Sequence, residues 1–323
     1  MTTKGHALVL GVTGGIGGEA ASSLLRHGWQ VAGMVRDPAK RRRPAGIDPL
    51  AGLNWVAGDA MNAGDVRRAA KHADVIVHAV NPPGYRNWDK LVLPMIDNTI
   101  AAAEMTGARV VLPGTIYNYG DDAFPNLAEN SAQNPKSHKG SIRVALERRL
   151  EDMSQRGVPA LVVRFGDFFG PMPGSNWFSQ GLVTPGKRLG TIRYPGVKGV
   201  GHAWAYLPNA GETIARLLAR STELAPFARF HFKGHWDADG MQMVRAIIAG
   251  IGRPRTRISR FPWLLVGVAG LFSETPREIY KMRYLWRTSI TLDNSNLIAF
   301  LGQEPHTPLA TAVEATLKAL NVL

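Results

Sequence analysis

The chain opens on an unbroken apolar run, Ala7-Leu8-Val9-Leu10-Gly11-Val12, that ends among glycines. With no alternation of apolar and polar positions, such a run reads as a parallel strand buried on both faces. Residues 16–27 then take up helical spacing and close on Gly28. The same rhythm recurs along the first half. It predicts strands at 30–35, 53–57, 74–79, 109–112 and 160–164, with helices at 88–106 and 141–156. Strands alternating with helices imply right-handed crossovers, so the fold class is α/β, a Rossmann-type doubly wound parallel sheet.

Beyond residue 166 the rhythm changes. Residues 170–200 are rich in glycine, proline and aromatics, which predicts irregular loops; a helix at 208–220, a strand at 229–233 and helices at 240–251 and 311–320 follow. The organisation expected is a Rossmann domain over 1–166, completed by helices and strand from about 201–235. A smaller region, 167–200 and 236–323, would cover the C-terminal strand edges, where open α/β sheets bind ligands. The most apolar later stretch, Phe261 to Phe272, is 12 residues long and too short to cross a bilayer. It is expected to be a buried helix, or one lining a pocket or a subunit interface.

Composition narrows the classes. There is no cysteine, which excludes disulfides, thiolate metal sites and cysteine nucleophiles. The N-terminus runs straight into a strand without a long apolar region, and the expected location is cytoplasmic. The net charge of +13 is spread along the chain, with one dense run at Lys40-Arg41-Arg42-Arg43. Nucleic-acid binding would favour a basic face with interleaved aromatics or a reading motif. Neither is present, so a solvated surface that attracts anionic ligands is the reading. A small-molecule substrate is expected as partner, with neither nucleic acid nor membrane.

Glycines 11, 14 and 17 follow a strand and open a helix, the spacing of a dinucleotide-binding turn. Gly11 allows the tight turn, Gly14 lets backbone approach a pyrophosphate, and Gly17 lets the helix pack on the sheet. Gly11, Thr13, Gly14, Gly15, Ile16 and Gly17 are therefore candidate cofactor contacts. No Gly-Lys-Ser/Thr follows, which argues against an ATP-type loop. At the end of the second strand, Val35-Arg36-Asp37, Arg36 stands where an NAD-preferring site usually has Asp or Glu. Arg36, 19 residues after Gly17, is placed to pair with a 2′-phosphate, which favours NADP(H) over NAD(H). Asp37 would meet the ribose hydroxyl if the register slipped by one, and Arg36 could instead be a surface ion-pair partner. The basic run at 40–43 lies just beyond and could also serve the cofactor.

Further segments resemble the short-chain dehydrogenase/reductase superfamily, in its extended branch with the NAD-dependent epimerases and dehydratases. Gly11 to Gly17 is similar to that branch's glycine motif. Gly58-Asp59 matches its adenine-contacting position, with Ala60 next, and Ala79-Val80-Asn81 resembles the segment under the nicotinamide-side ribose. Leu112 to Gly120 looks like the fifth-strand motif, putting Thr115 at the catalytic Ser/Thr. Val163 to Pro171 is similar to the post-catalytic signature, and the resemblance puts Phe165 among the cofactor contacts. In this family a Tyr and a Lys four residues later share a helix face. The Lys binds ribose and the Tyr exchanges a proton with substrate. Here Lys139 stands at the Tyr and Arg143 at the Lys, a register fixed by Gly140 and Glu147 and by the 24-residue spacing from Thr115.

The resemblance is therefore to atypical members that keep the nucleotide site without the usual pair. Arg143 can still donate to ribose. Lys139 could act as the acid if like-charge repulsion from Arg143 lowers its pKa, or it could hold an anionic substrate. Thr115, Tyr117, Lys139 and Arg143 are the catalytic candidates, with Tyr119 and His138 as other nearby proton donors. The literal Tyr194-Pro195-Gly196-Val197-Lys198 contains Pro and Gly, so a helix there is not expected. No metal site is expected at His231 and His235, and no hydrolase nucleophile elbow exists. Trp263, Tyr280, Tyr284 and Trp286 are expected to divide between core and pocket. The reading is an NADP(H)-dependent oxidoreductase or epimerase/dehydratase-like enzyme. The alternative is a non-catalytic NADP(H)-binding sensor, and a homodimer through the helix after Lys139 stays open.

Overall fold

A computed structural model describes residues 4–40, 48–82, 84, 86–172, 174 and 176–323 of the chain; the side chains of the basic run at 40–43 lie outside the described residues. In the first half, β1 (His6–Leu10), β2 (Gln30–Val35), β3 (Asn54–Ala57), β4 (Val75–His78) and β5 (Arg109–Gly114) alternate with α1 (Gly15–Arg26), α2 (Ala63–Ala70) and α3 (Trp88–Thr106). The short β6 (Asn126–Leu127), α4 (His138–Gln155) and β7 (Ala160–Arg164) complete it. The second half holds β8 (Asp167–Phe169), β9 (Thr191–Tyr194), β10 (His202–Tyr206), α5 (Leu207–Ala219), β11 (Phe227–His231), β12 (His235–Asp237) and α6 (Gln242–Gly250). It closes with β13 (Arg257–Arg260), α7 (Trp263–Ala269), α8 (Glu274–Lys281), β14 (Thr291–Leu292), α9 (Ser295–Leu301) and α10 (Leu309–Ala319).

Seven strands form one sheet in the order β3-β2-β1-β4-β5-β7-β11, every pair parallel. The unbroken apolar run of β1 is explained by its central place. Ala7 and Val9 face one apolar layer, with α1 and α5 residues such as Leu24 and Ile214. Leu8 and Leu10 face the other, with Val92 and Ile96 of α3 and Leu146 of α4. Each such aliphatic side chain contributes roughly 1.5–3 kcal/mol on full burial. A third apolar cluster joins Phe169, Phe178, Ile192 and Trp204 to α6 and α10.

Several sequence expectations change. Residues 170–200 are not irregular throughout: a π-helical turn spans Phe178–Leu182, and β9 pairs with β13. The strand expected at 229–233 begins two residues earlier, because Phe227 already pairs with Ala160. The helix expected from 141 begins at His138, since Ser137 Oγ accepts the Gly140 N–H and caps it. The apolar stretch 261–272 contains α7, which has no buried residue. Leu264, Leu265, Val268, Leu271 and Phe272 are all exposed, so apolar composition there does not mean burial.

Candidate active site

The glycine turn forms as a tight cradle at the C-terminal end of β1. Gly11 sits at φ +86°, and a Cβ there would lie 2.6 Å from the Ala79 carbonyl oxygen. A Cβ at Gly17 would lie 2.3 Å from the Gly11 oxygen, so only glycine lets α1 start this close to β1. Gly14, the residue before α1, is extended and has no side-chain cap, and the first helical turn holds no acidic residue. The positive end of α1 is thus not neutralised by its own side chains, the environment an anionic pyrophosphate takes. Thr13 is exposed, and Ile16 is half-buried against the core.

The other cofactor candidates lie at the ends of neighbouring strands, on the same edge of the sheet. Arg36 is exposed directly after β2, and Asp37 Oδ1 accepts the Ala39 N–H at 3.0 Å. After β3, Asp59 Oδ1 accepts the Met61 N–H, while the carbonyl of buried Ala60 accepts from Asn98 Nδ2. After β4, the Ala79 N–H donates to Leu10, Val80 is half-buried and Asn81 is exposed. Phe165 differs: its ring is 2% exposed and packs against Phe168 and Phe232, inside the core.

Helix α4 carries the proton-active candidates. Its first turn packs closely on the loop after β5, because a Cβ at Gly140 would fall 2.2 Å from the Tyr117 carbonyl oxygen. Lys139 is 2% exposed, with Nζ 5.0 Å from the Trp88 ring centroid and 3.7 Å from Glu278 Oε2 of α8. One turn on, the Arg143 guanidinium lies 4.9 Å from the same ring and donates to Asn81 Oδ1 at 3.1 Å. The spacing of four therefore puts both cations against one indole, beside the segment that follows β4. Burial lowers the Lys139 amine from 10.5 to about 8, opposed by Glu278 and Glu274 and assisted by Lys281. Desolvation is the leading cause, in place of the repulsion from Arg143 expected from sequence.

Thr115 directly follows β5, half-buried, and its hydroxyl donates to Asn118 Oδ1 at 3.2 Å. Its carbonyl accepts from Arg164, which is 1% exposed. Arg164 makes a two-pronged pair with buried Glu147 of α4, at 3.0 and 2.8 Å. Asn118 and Gln133 donate to the same carboxylate. Glu147 lies two turns beyond Lys139, so this buried network ties α4 to the strand end that carries Thr115. Tyr117 is half-buried in the 3-10 turn between them.

The remaining donors stand apart. Tyr119 is fully buried under the Arg164 guanidinium and faces His231, and burial raises its pKa. His138 pairs with Asp89 at the surface. Tyr194 is buried in the C-terminal cluster while Lys198 is exposed, so they share no helix face. His231 contacts the Leu127 carbonyl through Nδ1, and His235 faces His306. Of the four C-terminal aromatics, Trp286 is core, stacked 3.9 Å from His202, and Trp263 donates to the Pro195 carbonyl. Tyr280 and Tyr284 are half-buried.

Sequence reasoning missed Trp88 and Glu278. Trp88 opens α3 and reads as an ordinary apolar helix residue. Glu278 lies in a region without motifs, and only the packing of α8 brings it to Lys139.

Residues 11–168 match the family described as NAD(P)H-binding. A comparison with curated protein sequences found no match. Among solved structures, MoeE5 in complex with UDP-glucose and NAD is similar at a TM-score of 0.72 and 19% identity, covering 98% of this chain and 99% of that one. WbmH of Bordetella bronchiseptica, in complex with NAD+, gives 0.71 and 20% identity over 98% of both chains. A double mutant of DesIV, the dTDP-glucose 4,6-dehydratase of Streptomyces venezuelae, has a TM-score of 0.73 at 19% identity, covering 98% and 96%. Residues 11–168 are thus similar to an NAD(P)H-binding family, and the chain as a whole has the fold of solved sugar-nucleotide epimerase and dehydratase structures.

Proposed function

We propose that the chain is an NADP(H)-dependent oxidoreductase or epimerase/dehydratase-like enzyme in which Lys139 exchanges the proton and Arg143 holds the cofactor ribose. The observation that carries this reading is the buried Lys139 amine, brought to about 8 beside Trp88 and one helical turn from Arg143. When bound, the dinucleotide supplies the ring that accepts or donates hydride. A donor must then give a proton to the substrate oxygen, or remove one, on the same face. An amine titrating near 8 is populated in both forms around neutrality, which general acid–base exchange requires. Thr115 and Tyr117 supply hydroxyls on the adjoining loop, Arg36 the charge for a 2′-phosphate, and Asp59 and Asn81 the strand-end contacts. The substrate class is a small or medium polar molecule, with nucleotide sugars first because related structures hold UDP-glucose and act on dTDP-glucose.

One observation favours a second reading. Lys139 is 2% exposed with Glu278 over it, as in a protein that holds the nucleotide without turning over a substrate. A panel of nucleotide sugars, ketones and aldehydes, assayed with both cofactors, separates the two. Turnover that drops at least about 100-fold in Lys139→Met, with nucleotide affinity kept, supports the enzyme. No turnover on any member, with nucleotide binding intact, supports the sensor.

A further inference from the structure

Helices α7 and α8 form a hairpin with two unlike faces. On the inner side, α8 brings Glu278 to Lys139, Glu274 accepts the Asn87 N–H at 3.1 Å, and Thr275 donates to the Gly84 carbonyl at 2.6 Å. The hairpin is therefore the roof over the candidate site. Two glycines set how α7 lies on α8: a Cβ at Gly267 would be 3.1 Å from the Tyr280 ring, and one at Gly270 would be 2.8 Å from the Arg277 Cα. At 100° per residue, the side of α7 away from Gly267 and Gly270 carries Leu265 and Val268, flanked by Leu264. Leu271 and Phe272 continue this surface into the turn. These five side chains are between 51% and 87% exposed. Five large apolar side chains exposed within nine residues are the kind of feature that marks an interaction site.

The charge around it selects the partner. Residues 168–211 and 240–273 contain no Asp or Glu, yet they hold nine Lys and Arg. These two segments account for nine of the thirteen excess positive charges. They meet in the β9–β13 ribbon, where Arg193, Arg257 and Arg260 are exposed, and β13 leads within three residues into α7. A second copy docked about a two-fold axis would bring like charges together. Asp239 pairs with Arg245, which leaves the arginines of the β9–β13 strands, neither of which carries a carboxylate, and an exposed apolar tip beside such a basic ribbon has the chemistry of an interfacial membrane anchor.

We infer that the α7–α8 roof docks on an anionic phospholipid bilayer, with Leu265, Phe272 and their neighbours entering the headgroup boundary and the β9–β13 arginines meeting lipid phosphate. No helix among the described residues is long and apolar enough to cross a membrane, so the attachment is to one leaflet. Docking would put the roof of the nucleotide site against lipid, whatever that site does chemically.

Sedimentation of the full chain with vesicles tests this. One set is phosphatidylcholine alone, and the other an equal mixture with phosphatidylglycerol. The expected result is binding to the mixed vesicles, weakened about tenfold or more both in Leu265→Ser/Phe272→Ser and in Arg257→Gln/Arg260→Gln. All substituted side chains are exposed, and thermal unfolding checks that the variants fold. Failure of the wild type to bind mixed vesicles overturns the proposal, as does equal binding by wild type and both variants. A dimer seen by analytical ultracentrifugation, made monomeric by Leu265→Ser/Phe272→Ser in a chain that ignores vesicles, assigns the surface to a second copy instead.

Discussion

Lys139 and Arg143 lie against the same indole, yet they differ in what they can exchange. A guanidinium stays charged throughout the working range. The Lys139 amine changes charge near 8, so the pH dependence of turnover carries its signature. In the reducing direction the ammonium is the acid, and the rate should fall as pH rises through about 8. In the oxidising direction the neutral amine is the base, and the rate should rise through the same value. Lys139→Arg should remove this break from the profile, and a break surviving in that variant would assign it to another group. The Arg164–Glu147 pair is a different case, buried and bidentate, with Asn118 and Gln133 completing it. Glu147→Ala leaves a buried guanidinium uncompensated and should cost about 3–5 kcal/mol in urea unfolding. A loss below about 1 kcal/mol would mean that water replaces the carboxylate.

At the scale of elements, α1 is the sensitive one. Gly17→Ala places a Cβ against the Gly11 carbonyl oxygen, backbone that cannot yield as a side chain would. The expected outcome is loss of nucleotide binding by at least about tenfold together with lower thermal stability, read by titration and calorimetry. Glu19, buried in α1, is raised from 4.5 to about 7 by burial, against the lowering effect of Arg26. Its native pKa exceeds the unfolded one, so the cost of burying it is absent below about 4.5 and complete above about 7. Glu19→Gln should therefore stabilise the fold at pH 8 by up to about 3 kcal/mol and change little at pH 4.5. Equal effects at both pH values would contradict this. The sheet strands and the helices α1, α3 and α4 of this half were legible from the unbroken run of β1, the helical spacing of α1 and Gly140 fixing α4 on the loop after β5, while the short α2 and β6 were not read from the sequence. The small sheets β8–β10–β12 and β9–β13 were not. Their strands are short and pair only with segments far away in sequence, so no local period marks them.

For the whole molecule, the division of labour follows the same line. The parallel sheet gathers its nucleotide candidates at the ends of β1 to β4, where the glycine turn announces them. What covers the site comes from the C-terminal region, and there sequence reasoning stopped short. Glu278 reaches Lys139 from α8 across more than a hundred residues, and only tertiary packing reveals it. Of the readings of 261–272, burial within the chain fails, because apolar content predicts burial only where a partner surface exists within the chain. Phe165 lies within a conforming motif, yet its ring is spent on the core.

Titration of the full chain with NADPH and with NADH, repeated on Arg36→Glu, tests the central reading most directly. Tighter binding of NADPH by the wild type, with that preference lost or reversed in the variant, is the expected result, worth at least about tenfold for a lost charged phosphate contact. An affinity for NADPH unchanged by Arg36→Glu, or no binding of either nucleotide, would contradict it.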